Sequence, residues 1–432
     1  MTNPQTAKST LTTDDPLYRE MFDIRLDAKK IGIGIESEYT DEMNRLRDAA
    51  PVMKGSLRSL LGLPEVPGTI TTQREEYTLF SFHACERAFR ENLLFSSEIM
   101  GESAGIQKIG PTILQMIGEE HRRARAVPQP LFVRPKVVGW WKPRWIDETV
   151  DTLLDRLVDR DTADLNMDLC ARLPMYVVTR AMGLEGQNAL NFRQHLIRST
   201  FGARSETPED VEASRVQVDK ILQELIDARR HTPGDDLISG VLANDLVLAD
   251  GGSRKLTDQE IFSFCKLVMF AGGGTTWRQL GITIDALLTH YHFWEECRAN
   301  RALIEPAIEE GLRWRATDPV FFRLTKEDVE VEGFKIPAGS RVNICLGAAN
   351  RDPKVWDRPD EYDIHRPAKF NLGTGLGPHR CLGRDVAKQE MIAAINGLMD
   401  RWPNMRLDPN QPKPVFMGLE HRGMSAIPVR LK

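Results

Sequence analysis

Long apolar runs are missing from this sequence. No stretch reaches the roughly 18 uncharged apolar residues that a membrane-spanning helix needs, and the first residues, MTNPQTAKSTLTTDDP, lack the apolar centre of a signal peptide. A basic excess is missing too, since 57 Lys and Arg stand against 62 Asp and Glu. Because this balance gives no whole-molecule attraction to nucleic acid or anionic membrane, we expect a cytoplasmic protein with neither partner.

Paired cysteines and linkers are also absent. The six cysteines stand far apart, with no CxxC pair that would indicate a zinc site or a redox dithiol. No Gly/Ser/Pro-rich segment is long enough to separate two domains. We therefore predict a polar lead and first helix over residues 1–40, followed by a single domain over residues 41–432.

Helical spacing of apolar residues dominates the chain from about Pro111 to Trp314. Thr257 and Glu260 form a capping box at the start of one helix, and further helices are predicted over 146–157 and 218–228. Strand signals are fewer, at 77–82 and within 329–344, where alternation is interrupted by turn residues. The pattern predicts a mainly α protein with minor β sheets.

One cysteine, Cys381, has unusual surroundings. It follows the alternating glycines of Gly373-Thr-Gly-Leu-Gly377-Pro378 and precedes a run of helical spacing that begins at Arg384. Such a loop is neither helix nor ordinary strand, and glycines are chosen where backbone approaches another group closely. The position before a helix, beside His379 and Arg380, favours a thiolate that can bind a metal.

The run GLGPHRCLG at 375–383 resembles the haem-binding loop of the cytochrome P-450 family, in which glycines stand four before and two after the cysteine. Gly377 and Gly383 fill those positions. The resemblance implies the cytochrome P-450 fold and haem b, with Cys381 as axial ligand to the iron and O2 as co-substrate. The family prefers phenylalanine seven residues before the cysteine, where this chain has Thr374.

Other motifs occur in the family's order. Glu310 and Arg313 resemble its ExxR pair, and Arg366 is the arginine that we expect to complete it. His121 and Arg125 lie one helical turn apart and can grip an anion together. The family places such a pair on the haem propionates, and we group with it Arg323 and His379.

The segment 267–276 places three glycines inside an apolar helix, which predicts a widened, locally unwound turn. It resembles the family's A-G-x-(Asp/Glu)-Thr-Thr motif. The resemblance implies that Ala271 contacts the haem, that Thr275 steadies dioxygen and helps to deliver protons, and that Thr276 assists. Gly274 stands where the family has its carboxylate.

The resemblance implies a monooxygenase that inserts one oxygen atom into a small or medium hydrophobic substrate, by hydroxylation or oxidative O-demethylation. Electrons are expected from a separate ferredoxin and its NAD(P)H-dependent reductase, and the protein is expected to be a monomer. A docking surface for the ferredoxin is predicted at Arg122, Arg123, Arg380, Arg384 and Lys388. The substrate pocket is predicted from the segments 97–115 and 417–424 and from Met269, Phe270, Val320, Phe321 and Phe322.

Two alternatives remain open. Because Gly274 replaces the usual acid, a haem-thiolate peroxygenase or a haem sensor is also compatible with the sequence. Gly101-Glu-Ser103-Ala-Gly105 matches the GxSxG motif of serine esterases, but that motif requires a strand before the serine and a helix after it. The preceding residues do not read as a strand, so the esterase hypothesis is the remoter one.

Overall fold

The computed structural model describes residues 22–25, 38–64, 74–201 and 207–432. Most of the predicted lead over residues 1–40 lies outside these ranges. α-Helices dominate the described residues, as predicted. They span Thr40–Ala49, Leu57–Leu60, Phe82–Arg90, Ala104–Ile109, Gly118–Ala126, Gln129–Phe132, Arg134–Lys136, Asp147–Asp155, Leu173–Ala181, Gly186–Phe201, Pro208–His231, Leu237–Ala243, Asp258–Thr289, Tyr291–Ala299, Ile304–Trp314, Leu346–Ala349 and Arg384–Arg401.

Five small sheets accompany the helices in the described ranges. The largest has the strand order β1-β2-β10-β7-β3, in which β10 pairs parallel to β2 and antiparallel to β7. The strands are β1 Val52–Lys54, β2 Glu76–Leu79, β3 Phe95–Ser96, β4 Thr162–Asp164, β5 Asp245–Val247, β6 Ser253–Lys255, β7 Phe321–Thr325, β8 Val329–Val331, β9 Phe334–Ile336, β10 Arg341–Ile344, β11 Arg406–Leu407, β12 Phe416–Met417, β13 Gly423–Met424 and β14 Pro428–Arg430.

Two predicted strand regions are confirmed with changed boundaries. The strand predicted over 77–82 ends at Leu79, because the Ser81 hydroxyl accepts the Ala84 N–H and caps the helix Phe82–Arg90. The segment 329–344 forms three short strands, β8, β9 and β10, divided at the predicted turns. Local side-chain capping thus decided where the first strand gave way to helix.

The helix Asp258–Thr289, here called the long helix, runs through the main core. Its predicted capping box is confirmed: the Glu260 N–H donates to Thr257 Oγ1, and the Thr257 N–H donates to Glu260 Oε2. The predicted unwinding is wrong, because the helix continues without a break through its three glycines. Gly272 and Gly273 instead face the helix Leu173–Ala181, where added Cβ atoms would lie 3.1 Å from Val178 and 2.9 Å from Met175. These glycines permit close helix packing.

No helix in the described part of the chain is both long and apolar enough to cross a membrane. The helix Arg384–Arg401, here called the cysteine helix, packs with the long helix in the main core. The Cys381 loop precedes it and lies beside the helices Phe82–Arg90 and Gly118–Ala126. The fold therefore brings the two segments with the most unusual sequences to the centre of the molecule.

Candidate active site

Cys381 differs from the other five cysteines in its exposure. Those five are buried, whereas Cys381 is exposed. Even so, burial within the protein raises the pKa of the Cys381 thiol, and the Gly383 N–H and the charges of Arg125 and Arg384 only partly oppose this. An exposed side chain that is nevertheless desolvated faces an internal cavity rather than the outer surface. Without a bound metal, desolvation therefore outweighs the neighbouring charges that were predicted to favour the thiolate.

One glycine of the Cys381 loop, Gly377, lets the loop pack closely against neighbouring backbone. Gly377 has a φ of +67°, and a Cβ there would lie 2.5 Å from the Phe89 carbonyl oxygen. Gly383 has no such neighbour, since a Cβ at this position would meet nothing within 4 Å. The Cys381 N–H donates to the Thr374 carbonyl at 3.0 Å. The contacts with the Phe89 and Thr374 carbonyls therefore fix the backbone of the loop, while the Cys381 side chain remains exposed.

A cluster of cationic side chains lies beside this loop. The rings of His121 and His379 stack with centroids 4.0 Å apart, and Arg125 donates to the carbonyls of Pro378 and Arg380. Burial, followed by repulsion from Arg125, lowers the pKa of His121 to about 4. Burial, followed by repulsion from the other cationic groups, lowers the pKa of His379 to about 3. Burial and the neighbouring arginine charges thus hold the two histidines neutral near pH 7.

Arg323 completes the cluster from strand β7. Burial lowers its pKa to about 10, and its charge acts on His379. The Nε of Arg323 and the Nε2 of His121 are buried without a hydrogen-bond partner among the described residues. Buried polar atoms of native proteins are rarely left unsatisfied. Four cationic or protonatable side chains with orphaned donors form a site that suits an anionic group.

The long helix presents one accessible face in the middle of the molecule. Phe270 is 44% exposed, Ala271 is exposed and Thr275 is partly so, although the helix is buried on both sides of this turn. Helical spacing places these residues together with Leu267 and Gly274. Met269 and Thr276 lie with Gly272 and Gly273 on the opposite face and are buried. Their assignment to the pocket and to proton delivery is therefore wrong.

A side chain at Gly274, where a carboxylate was expected, would contact a guanidinium. A Cβ at Gly274 would meet only Arg278 Nη1, at 3.6 Å. Arg278 Nη1 donates to the Gly274 carbonyl at 2.9 Å, and the Thr275 hydroxyl donates to the Ala271 carbonyl at 3.2 Å. On this helix face a guanidinium, rather than a carboxylate, is therefore the charged neighbour of Thr275.

The structure brings Glu310, Arg313 and Arg366 together in the interior. Arg313 donates to both Glu310 oxygens at 2.8 Å, and Arg366 Nε donates to the same carboxylate at 3.1 Å. Arg313 also binds three carbonyls of the segment that leads to the Cys381 loop, those of Asn350, Pro359 and Glu361. The helix Ile304–Trp314 is thus tied to this segment, which fixes the approach to Cys381.

The predicted pocket residues of β7 divide between two faces of the strand. Phe321 lies on the same side as Arg323 and packs against Phe89. Val320 and Phe322 pack into a separate hydrophobic cluster with Met43, Phe80 and Leu419. Because strand residues alternate in direction, Val320 and Phe322 belong to this cluster and not to the pocket, contrary to the prediction.

Sequence reasoning missed a charged pair, Asp318 and His421. The His421 Nδ1 lies 2.9 Å from Asp318 Oδ1, across 103 residues of sequence. The Asp318 charge also acts on the Cys381 thiol and helps to raise its pKa. A signal for His421 existed, since it is the one histidine in the segment 417–424 already predicted to line the pocket.

The sequence of the chain matches the family model "Cytochrome P450" over residues 195–419. A curated relative, the putative cytochrome P450 YjiB of Bacillus subtilis, is 30% identical over 79% of this chain and 85% of its own length. The chain belongs to the cytochrome P450 family. Its recognition from the Cys381 loop is confirmed, and with it the reaction class: a haem-thiolate, iron-containing oxidoreductase with monooxygenase activity.

Further comparisons agree with this assignment to the cytochrome P450 family. The vitamin D3 dihydroxylase of Streptomyces griseolus is 31% identical over 72% of this chain and 75% of its own length. A crystal structure of a Bacillus megaterium cytochrome P450 in complex with corticosterone has a TM-score of 0.77 and 25% identity. That comparison covers 91% of this chain and 98% of the other. The predicted cytochrome P450 fold is therefore confirmed.

This cytochrome P450 contains no nucleophile elbow at Ser103. The residues before it, Ser97–Glu102, form a 3₁₀-helix instead of the strand that the motif requires. Ser103 ends that helix and precedes the short helix Ala104–Ile109. The esterase hypothesis is therefore wrong, and the segment packs instead through Ile106 and Ile109 against Leu267 of the long helix.

The predicted docking residues of this cytochrome P450 differ in accessibility. Arg122 and Arg380 are exposed. Lys388 is only 5% exposed and binds Glu305 at 3.0 Å and Glu309 at 2.5 Å, and Arg384 binds Glu309 as well. Lys388 is therefore wrong as a docking residue, because its charge is enclosed and neutralised inside the protein.

The site residues of this cytochrome P450 fit a haem. A thiol faces an internal cavity, an accessible helix face contains Ala271 and Thr275, and orphaned donors of His121 and Arg323 lie in a cationic cluster. These are the groups that an iron ligand, a close helix contact and an anionic substituent require. The fit rests on several elements of the chain, not on the loop alone.

Proposed function

We propose that this chain is a haem b monooxygenase in which Cys381 is the axial thiolate ligand of the iron. The proposal rests on the Cys381 thiol, which is exposed although burial by the surrounding protein raises its pKa. The haem, when bound, supplies the iron centre at which O2 is activated and one oxygen atom is passed to the substrate. Metal binding compensates for the desolvation that holds the free cysteine as a thiol.

His121, Arg125, Arg323 and His379 hold the haem propionates in this proposal. The orphaned His121 Nε2 and Arg323 Nε gain acceptors from a carboxylate, and the mutual repulsion of the cluster is relieved by its negative charge. Arg125 already bonds to two carbonyls of the Cys381 loop, so the same side chain joins the propionate site to the thiolate loop. Gly377 shapes this loop by its close approach to the Phe89 carbonyl, whereas Gly383 leaves open space where a side chain would stand.

Thr275 is the residue to which we assign proton handling at the distal side. Its hydroxyl both donates and accepts, so Oγ1 can exchange its bond to the Ala271 carbonyl for one to a reacting oxygen. Arg278 cannot act as a proton acceptor, because a guanidinium stays charged. Protons therefore reach Thr275 Oγ1 through water admitted beside Gly274.

Glu310, Arg313 and Arg366 support the site from a distance. Their buried charges satisfy one another and fix the carbonyls of the segment before the Cys381 loop. We assign them a positioning role on the proximal side of the haem. None of them contacts the cavity face of the long helix in this proposal.

We infer that the electrons come from a separate ferredoxin and its NAD(P)H-dependent reductase. The exposed Arg122 and Arg380, with Arg123, form the basic docking surface that remains after Lys388 and Arg384, which both pair with Glu309, are removed from it. Arg380 is adjacent to Cys381, which gives an acidic partner a short route to the iron.

The substrate is proposed to be a hydrophobic molecule of small or medium size, modified by hydroxylation or O-demethylation. Phe270 and Phe321 are the predicted pocket residues whose positions support this assignment. Two relatives point the same way, since one is a vitamin D3 dihydroxylase and another was crystallised with corticosterone.

A peroxygenase is the second candidate, because Gly274 removes the acid of the usual motif. The test is single-substrate turnover of the haem-loaded protein with O2, a ferredoxin, its reductase and NADPH, compared with hydrogen peroxide alone. The monooxygenase proposal expects product containing oxygen from labelled O2 in the first mixture. Product in the peroxide mixture only would favour the peroxygenase and contradict the ferredoxin assignment.

A further inference from the structure

His421 has an accessible side chain that contacts Asp318. Its side chain is 60% exposed, yet burial lowers its pKa and is opposed by the hydrogen bond and the charge of Asp318, so that the pKa is raised overall. Asp318 acts on Cys381 as well, and Arg278 of the long helix acts on His421. Gly423, two residues after His421, packs against Arg278, since a Cβ there would lie 3.2 Å from Arg278 Cγ, and Arg278 in turn donates to the Gly274 carbonyl. The turn that carries the pair therefore lies beside the accessible face of the long helix.

The two segments that carry the pair are already joined without it. The Arg422 N–H donates to the Thr317 carbonyl at 2.7 Å, and the Thr317 hydroxyl donates to the Arg422 carbonyl at 2.8 Å. The buried Arg422 guanidinium donates twice to the Ala316 carbonyl. An ion pair between Asp318 and His421 is thus not required to hold these segments together.

The turn that carries His421 is also anchored on its far side. Glu420 accepts two hydrogen bonds from Arg58, at 2.8 and 2.9 Å, which ties the turn to the helix Leu57–Leu60. Glu420 is therefore engaged away from the cavity. A side chain fixed in this way between two anchored residues can bind a ligand with little loss of conformational entropy.

The charges that face His421 define what it can bind. Because Asp318 engages Nδ1, Nε2 is the ring nitrogen that can be directed elsewhere, and it is a donor when the ring is protonated. Asp318 and His421 form one opposite pair. Of the other charges that act on His421, Arg278 is positive, and the negative Glu420 is already paired with Arg58. Such a surrounding favours an oxygen acceptor and disfavours a cation.

We propose that His421 Nε2–H donates a hydrogen bond to an oxygen acceptor of the substrate, a carbonyl or a carboxylate, and that Asp318 positions the ring. This inference rests on the proposed function and narrows its substrate class. The substrate is amphiphilic: its apolar body lies against Phe270 and Phe321, and one oxygenated end reaches His421. The site of oxidation is then set by the distance from that end.

The test uses the haem-loaded enzyme and three probes of equal chain length: decane, decan-2-one and decanoic acid. Dissociation constants are measured from the haem spin-state shift, and probe-induced changes in melting temperature give a second readout. We expect the parent to bind the ketone, the acid or both about tenfold more tightly than decane, as one good hydrogen bond allows. The two oxygenated probes distinguish a carbonyl from a carboxylate.

His421→Ala is expected to remove this preference, so that the ketone and the acid bind no more tightly than decane does to the same variant. His421→Gln, which keeps a side-chain N–H donor, should restore part of it, and His83→Ala is the control at an exposed histidine on another helix. An unchanged preference in His421→Ala, or no preference in the parent, would overturn the inference. Neither result affects the haem spectrum, so the proposed function would fail separately.

Discussion

At the residue scale, the Glu310 carboxylate is the shared partner of two buried arginines. Removing its charge leaves Arg313 and Arg366 without compensation in the interior. Because breaking a buried ion pair from one side costs about 3 to 5 kcal/mol, Glu310→Gln is expected to lower the free energy of unfolding by about 3 kcal/mol. Urea denaturation of the haem-loaded protein measures this.

Glu91→Gln is the matched control for that change. Glu91 pairs with Arg87 at an exposed i,i+4 position, where such pairs contribute about 0.5 kcal/mol or less. Equal losses in the two variants would show that the Glu310 network has no special role.

Glu390 is a second buried acid, and one of its carboxylate oxygens has no hydrogen-bond partner among the described residues. It lies on the cysteine helix, and burial raises its pKa to about 8. Since the unfolded carboxyl ionises near pH 4.5, its contribution to stability is complete below that pH and is lost as pH rises through 8.

Glu390→Gln is therefore expected to reduce the fall in stability between about pH 4.5 and 8 and to make the protein more stable at pH 8. The gain should be on the order of a few kcal/mol, because one pKa unit corresponds to about 1.4 kcal/mol. Urea midpoints at pH 5 and pH 8 provide the measurement. A variant with the parent's pH dependence would refute the assignment, and the exposed Glu295→Gln serves as control.

At the element scale, the start of the long helix depends on its capping box. Thr257→Ala removes the acceptor of the Glu260 N–H and is expected to cost about 1 kcal/mol. Thr152→Ala is the control, because Thr152 lies inside a helix and only donates back to the Glu148 carbonyl. Thermal unfolding of both variants would expose an error if Thr152→Ala were the more harmful.

What the sequence predicted at this scale depended on how local the signal was. The capping box at Thr257 and the loop around Cys381 are each formed by residues close together in sequence, and both motifs were predicted. The direction in which a side chain points was harder to predict. Met269 and Val320 are buried away from the pocket, and only the tertiary packing shows this. Asp318 and His421 are joined by tertiary structure alone, so no spacing rule relates them.

The predicted environment of Cys381 shows the same limit. Neighbouring cations and a following helix indicated a thiolate. The burial that raises the pKa of Cys381 depends on the tertiary fold and could not be predicted from the loop sequence. In the same way, the sequence predicted an exposed cation at Lys388. In the structure Lys388 pairs with two carboxylates of the helix Ile304–Trp314.

At the scale of the whole molecule, the net charge of −5 leaves the proposed partner surface as a local basic patch. Arg122→Glu combined with Arg380→Glu is expected to slow reduction by ferredoxin about tenfold or more at low salt, with a weaker effect at high salt, because screening shortens the range of the attraction. Stopped-flow reduction measures this. Lys220→Glu, an exposed change on the helix Pro208–His231, is the control, and equal rates in all three proteins would contradict the docking surface.

The axial role of Cys381 is tested most directly by the absorption spectrum of the reduced, carbon-monoxide-bound protein. The parent and Cys297→Ala, which changes a buried cysteine, should both show the strongly red-shifted Soret band of thiolate-ligated haem. Cys381→His should bind haem without that band. A folded, haem-loaded parent that lacks the band, or a Cys381→His variant that keeps it, would contradict the assignment of Cys381 as the iron ligand.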